Sequence, residues 1–220
     1  WPRSSVIFIA EVPGMKEFQK HLEEILPEKD SLKLVKREAE GYEKEHSPEA
    51  CFSMGVELYQ SNNFQIQEVG VLLLGYSAGG DSRALAFLRD TVSEHQSWKV
   101  QEVLAMAFDT YCKRIGYEEA LPQIKAWLSS DRANVRRAVS EGLRIWTSRP
   151  YFREHPEEAI QLLSAQREDE SEFVRRSAGN ALRDIGKKHP QLLLEALHSW
   201  TLSSKEEKQV YRLASKYLLK

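Results

Sequence analysis

Residues 69–80 read VGVLLLGYSAGG, and how this stretch folds decides the architecture of the whole chain. Its centre, GYSAG, fits G-x-S-x-G, the pattern of a hydrolase nucleophile elbow, and an apolar run precedes it. As an elbow it would be a strand, a sharp turn and a helix, with Ser77 as the attacking hydroxyl. Otherwise it is the end of a helix that spells the same letters. An elbow needs a parallel sheet, and therefore β-branched strands alternating with helices. No such alternation runs through this sequence.

Self-similarity resolves the choice. VQEVLAMAFD from Val100, VRRAVSEGLR from Val135 and VRRSAGNALR from Val174 superimpose, with starts 35 and 39 residues apart. Each opens with an apolar residue and two polar ones, then places small or apolar residues in steps of three and four, the helical period. Turn chemistry precedes each: HQS, SSDRAN and EDESEF. Further helical patterns lie between them, so the unit is a helix pair of about 35–40 residues, the length of a HEAT-type repeat. Stepping back 34 residues from Val100 reaches IQEVGVLLLG from Ile66, in register and sharing the triplet QEV. The run before Ser77 is thus the second helix of an earlier repeat. Ser77 is expected in the loop after it, with a left-handed glycine ending the helix.

About twelve helices are expected, near residues 14–26, 31–42, 48–60, 64–75, 82–93, 97–114, 117–129, 133–147, 156–164, 171–187, 190–200 and 205–219. Pro48, Pro156 and Pro190 fall in first turns, where the missing N–H costs nothing. The expected fold is all-α: a right-handed α-solenoid of about six HEAT-like helix pairs with a concave inner face lined by the second helices. A single domain is expected over residues 1–220, with residues 1–45 as N-terminal capping helices.

With 220 residues, 41% hydrophobic and 29% charged, the composition is that of an ordinary soluble protein. No apolar run reaches the ~18 residues a membrane span requires, and VIFIA near the start does not have the flanks of a signal peptide. Cys51 and Cys112 are isolated within helical patterns, as buried thiols of a reducing cytoplasm would be. The six histidines show no metal-ligand spacing, so neither a metal nor a cofactor is expected. The net charge of −2 does not advertise a nucleic-acid partner, but it hides an asymmetry. Residues 1–60 carry 8 basic and 12 acidic side chains; residues 131–188 carry 12 basic and 10 acidic, the basic ones nearly all arginine.

Superposing the second helices gives three columns of side chains. Glu68, Glu102, Arg137 and Arg176 form one, Met106, Glu141 and Asn180 a second, and Asp109, Arg144 and Arg183 a third, with Ile145 and Asp184 alongside. Arginines lining a concavity suit backbone phosphates, which they grip bidentately. Alternatively they pair with carboxylates of the next repeat in inter-repeat ladders. The repeat is broken at SWKVQE, where Trp98 and Glu102 stand four apart on one helix face. An indole beside a carboxylate suits a cationic ligand. The competing reading buries Trp98 at the helix start and pairs Glu102 with Arg137.

WKVQE, followed one repeat later by NVRRA and then by FVRRSAGNALRDIGKKHP, resembles the HEAT-like-repeat DNA alkylation repair proteins, the AlkC/AlkD superfamily of alkylpurine DNA glycosylases. The resemblance covers roughly residues 50–220. In that family an aromatic and a carboxylate sit four apart on one helix and a basic residue follows in the next repeat; Trp98, Glu102 and Arg137 match those positions. Asn180 and Asp184 match the N-x-x-x-D pattern of the AlkC-like branch, whereas the AlkD-like branch has a tryptophan where Asn180 stands. The resemblance implies hydrolysis of the N-glycosidic bond of cationic alkylated purines such as 3-methyladenine or 7-methylguanine in double-stranded DNA, without a cofactor. It implies Glu102 as the catalytic carboxylate, Asp184 as the second candidate and Trp98 as the aromatic packing on sugar or base. Arg137 would hold backbone phosphates, with Arg136, Arg144, Arg176, Arg183 and Asn180 as further DNA contacts. The alternative is a non-catalytic HEAT-repeat scaffold that binds DNA structures or a protein partner.

Overall fold

A computed structural model describes residues 12–26 and 29–218, which form helices and turns and, among the described residues, no strand. The VIFIA run lies outside the described residues, as does the first part of the expected cap. None of the described helices is long and apolar enough to cross a membrane. The chain divides into two compact units, Trp1–Ala107 and Phe108–Lys220.

The first unit contains α1 (Met15–Ile25), α2 (Leu32–Glu45), α3 (Pro48–Tyr59), α4 (Phe64–Ser77), α5 (Ser82–Asp90) and the first turns of α6 (Trp98–Ile115). Short polar residues start several of these helices by taking up an otherwise unpaired N–H. The Ser47 hydroxyl accepts from Ala50 N, Asn63 Oδ1 from Gln65 N and Asp81 Oδ1 from Arg83 N. Glycine decides how closely α3 and α4 pack. A Cβ on Gly70 would lie 2.7 Å from the Gly55 carbonyl oxygen, and one on Gly55 would lie 2.9 Å from that of Gly70.

The motif that opened the question is helical throughout its serine. α4 runs on to Ser77, two residues past the expected end, and Ala78 caps it in right-handed geometry. Ser77 is therefore not a loop residue; it is fully buried and its hydroxyl donates to Leu74 O at 3.0 Å. No glycine of the motif ends the helix either: the described glycines with positive φ are Gly14 and Gly116. Gly75 serves packing instead. A Cβ there would sit 2.7 Å from Ala107 Cα, so its absence lets α4 close onto α6. A nucleophile elbow is excluded by burial and by the absence of a strand before it.

The second unit contains the rest of α6, then α7 (Leu121–Leu128), α8 (Ala133–Gly142), α9 (Pro150–Glu154), α10 (Pro156–Ser164), α11 (Glu172–Gly186), α12 (Pro190–His198) and α13 (Lys205–Ala214). The pairs α7/α8 and α10/α11 repeat, and α11 packs against both α8 and α13, as second helices of successive repeats do. Pro48, Pro156 and Pro190 all stand in first turns. The all-α, HEAT-like class is the one the chain adopts.

One expected helix, 133–147, is cut short. α8 stops at Gly142, Ile145 takes a left-handed φ of 53°, and Trp146–Ser148 form a single 3-10 turn. Pro150 then opens α9 at its first position, where its missing N–H costs nothing. The reversal also folds Trp146 into the core against Phe152, with centroids 4.8 Å apart, while its indole N–H donates to Ser140 O. Burying some 150–250 Å² of indole is worth ~4–6 kcal/mol, more than the ~1–3 kcal/mol of one strained backbone position. Arg144 and Ile145 thus lie beyond the helix end, not on its face.

Candidate nucleic-acid interface

The start of α6 is held from several sides. Gln101 Nε2 donates to the carbonyls of Val92, Ser93 and His95 at 3.0, 3.3 and 2.8 Å, folding the preceding turn against the helix. His95 Nδ1 accepts from Ser97 N at 3.0 Å. The ring proton therefore sits on Nε2, which faces Gln67 Oε1 at 3.0 Å. Burial holds the His95 pKa below its ordinary value, in keeping with a neutral ring. Lys99 reaches Asp30 Oδ2 at 2.9 Å and lies 4.5 Å from the centroid of the Phe64 ring.

With Gln101 and Lys99 fixed in this way and Val100 buried, Trp98 is left facing solvent. Trp98 is 69% exposed, so the reading that buried it at the helix start is overturned. Glu102 stands one turn on, half-buried, and Met106, also half-buried, follows at the same spacing. The indole and the carboxylate share one face of α6.

The column containing Glu102 is not presented evenly. Glu68, one repeat earlier on α4, is 2% exposed. Its pKa is raised to about 7 by burial and by the charge of Asp30, with Lys99 opposing. In the second unit Arg137 is half-buried on α8 and Arg176 largely exposed on α11, where its nearest carboxylate is Glu172 at 3.8 Å. Asn180 is half-buried one turn further along α11.

Several expected DNA contacts are engaged within the protein. Arg136 is buried and grips Asp169 with Nε and Nη2 at 2.7 and 2.8 Å, while Nη1 donates to Ser130 O. Its guanidinium is committed to these contacts within the protein. Asp184 is largely buried and lies within 3.2–3.6 Å of Lys187, Arg144 and Arg183. A carboxylate clamped by three cations is less suited than Glu102 to stabilising a further charge. Arg183 is largely buried beside it, and Arg144 is shared between Asp184 and Glu141.

These contacts form the inter-repeat ladder. Arg144–Asp184, Arg149–Asp109 and Arg167–Glu207 each join residues 40 positions apart, and Arg136–Asp169 joins residues 33 apart. Asp109 also accepts from the Tyr117 hydroxyl at 2.9 Å, yet burial still raises its pKa. Among the described residues no group of three or more His, Cys, Asp or Glu side chains is placed to hold a metal ion, and Cys51 and Cys112 are buried free thiols. Sequence reasoning missed the Asp30–Lys99 and Gln101 contacts that set the pose of Trp98. No local pattern announces them, because the partners lie outside the repeat register.

Residues 29–218 match the family described as DNA alkylation repair enzyme. The chain belongs to that family. Among solved structures, AlkD2 from Streptococcus mutans is 46% identical, with a TM-score of 0.89 over 94% of this chain and 100% of that one. An alkylpurine DNA glycosylase, AlkC of Pseudomonas fluorescens, bound to DNA containing an abasic site analog, is 22% identical with a TM-score of 0.51. That match covers 94% of this chain and 62% of AlkC, and at this identity it is a likeness of fold alone. The uncharacterized protein YhaZ of Bacillus subtilis is 34% identical over 107 residues, 47% of this chain and 30% of that protein. The chain thus spans under a third of this curated relative's length.

Proposed function

We propose that this member of the DNA alkylation repair family is an alkylpurine DNA glycosylase that hydrolyses the N-glycosidic bond of cationic alkylated purines in double-stranded DNA. The observation that carries the reading is the exposed Trp98 indole one helical turn before the Glu102 carboxylate. A 3-methyladenine or 7-methylguanine base is already positive and departs without a strong general acid. As the bond breaks, charge develops on the deoxyribose as an oxocarbenium-like species. A carboxylate beside the anomeric carbon stabilises that charge and orients the attacking water. Glu102 takes this role. Trp98 packs on the sugar or the cationic base, a contact worth ~0.5–2 kcal/mol. Arg137 and Arg176 of the second unit are assigned to backbone phosphates. Release of free 3-methyladenine from methylated duplex DNA by the wild type, and its loss in Glu102→Gln, tests the assignment.

A second reading is favoured by one specific observation. The ladder consumes Arg136, Arg144, Arg149, Arg167 and Arg183 internally, and the net charge is −2. Three of the five arginines expected to hold phosphates, Arg136, Arg144 and Arg183, are thus engaged internally, as suits a scaffold that binds a DNA structure or a protein partner without cutting a bond. DNA binding with no base release supports this second reading.

A further inference from the structure

Glu68 is the least expected ionisable group in the first unit. Its carboxyl is buried in α4, and Oε2 has no hydrogen-bond partner among the described residues. An unpaired buried carboxylate is costly, so the group is held between keeping its proton and finding a cation. The charged groups acting on it come from two other elements: Asp30, from the segment before α2, and Lys99, from the first turn of α6. Those two are bonded to each other at 2.9 Å. The same segment is fastened to α4 a second time, where Ser31 N donates to Gln65 Oε1 at 2.8 Å. Lys99 is thus bonded to one carboxylate and acts electrostatically on the other, and it is the residue next to Trp98.

We propose that Glu68 is a proton-gated positioning residue for the first turn of α6. When Glu68 is neutral, Lys99 serves Asp30 and latches residues 29–31 across the starts of α4 and α6. When Glu68 ionises, it competes for Lys99, and the ammonium is drawn toward the buried carboxylate. Asp30 is then released, the latch loosens, and the turn that carries Trp98 changes pose. The proton leaves to solvent and no bond other than O–H breaks. Because burial and Asp30 both raise the Glu68 pKa to about 7, the exchange falls near neutral pH.

The test is an NMR titration of the full chain without DNA, following the Glu68 carboxyl carbon, the Ser31 amide and the Trp98 indole N–H. All three are expected to move with one midpoint near neutral. The Ser31 and Trp98 responses flatten in Glu68→Gln, which mimics the protonated acid, and also in Lys99→Met, which removes the shared cation while the Glu68 carboxyl carbon still titrates, at a higher midpoint. Each unit of midpoint displacement corresponds to about a tenfold change in the latch equilibrium. A Glu68 midpoint below pH 5, or a near-neutral midpoint that leaves Ser31 and Trp98 unmoved, overturns the proposal. If Gln is not tolerated at position 68, the wild-type and Lys99→Met curves still decide it. No readout involves DNA, so failure here leaves the base-excision reading standing, and failure of base excision leaves this one standing.

Discussion

Arg136 on α8 and Asp169 in the turn before α11 form a two-pronged ion pair across 33 residues, both side chains more than nine-tenths buried. Asp169 Oδ1 also accepts from Ser171 N, so the pair fixes the entry of the chain into α11. The guanidinium pKa is raised further by the hydrogen bonds to Asp169. Removing one partner leaves an uncompensated buried charge, which costs ~3–5 kcal/mol.

Arg136→Ala is therefore expected to lower the free energy of unfolding by about that amount. DNA affinity of the folded fraction should not change. Chemical denaturation beside a binding isotherm checks both halves. A loss of affinity with stability intact would put Arg136 back at the interface.

At the motif that spells G-x-S-x-G, the glycine matters and the serine does not. Gly75→Ala drives a methyl to within 2.7–2.9 Å of the Ala107 backbone, which cannot yield as a side-chain tip would. A destabilisation of roughly 1–3 kcal/mol is expected, read as a lower denaturation midpoint. Ser77→Ala should leave any repair activity unchanged and cost at most ~1 kcal/mol, for one hydrogen bond to a helix carbonyl.

Glu68 makes stability depend on pH in a defined direction. Its folded pKa, about 7, lies above the ordinary 4.5, so the folded chain holds the proton more tightly than the unfolded one. The contribution is fully present below about pH 4.5 and is lost as pH rises through about 7. The full span is of order 3 kcal/mol. Glu68→Gln should be more stable than the wild type at pH 8 and nearly equal to it at pH 4. Equal destabilisation at both values would mean that Glu68 is ionised and satisfied.

With Arg137 and Arg176 as the proposed phosphate contacts, salt should weaken DNA binding only gently. A slope of log K against log salt near −2 is expected, falling by about 0.9 in magnitude for each arginine removed. A slope several times steeper would mean that the ladder arginines reach the DNA after all.

The helical repeat was legible because its signal is local: apolar residues in steps of three and four recur at 34, 35 and 39 residues. The reversal after Gly142 was not, since it is driven by burial of Trp146 against Phe152 and not by the residues that turn. Arg136 and Arg137 are neighbours of one type, and nothing local tells them apart. About 100° of helical rotation turns the first toward Asp169 and leaves the second half-exposed. Glu68 and Glu102 share a register for the same reason, and differ because the Asp30 segment lies against one of them. The pairing of Asp184 was foreseeable only as a class of contact, the inter-repeat ladder, and not for that carboxylate in particular.

The account turns on Glu102 beside an exposed Trp98, and one assay addresses it directly. Methylated duplex DNA is incubated with wild type and with Glu102→Gln, and released 3-methyladenine is measured alongside DNA binding. Release by the wild type and none by the variant, with binding retained in both, is the expected result. Binding without release by the wild type, or release that Glu102→Gln does not diminish, would contradict it.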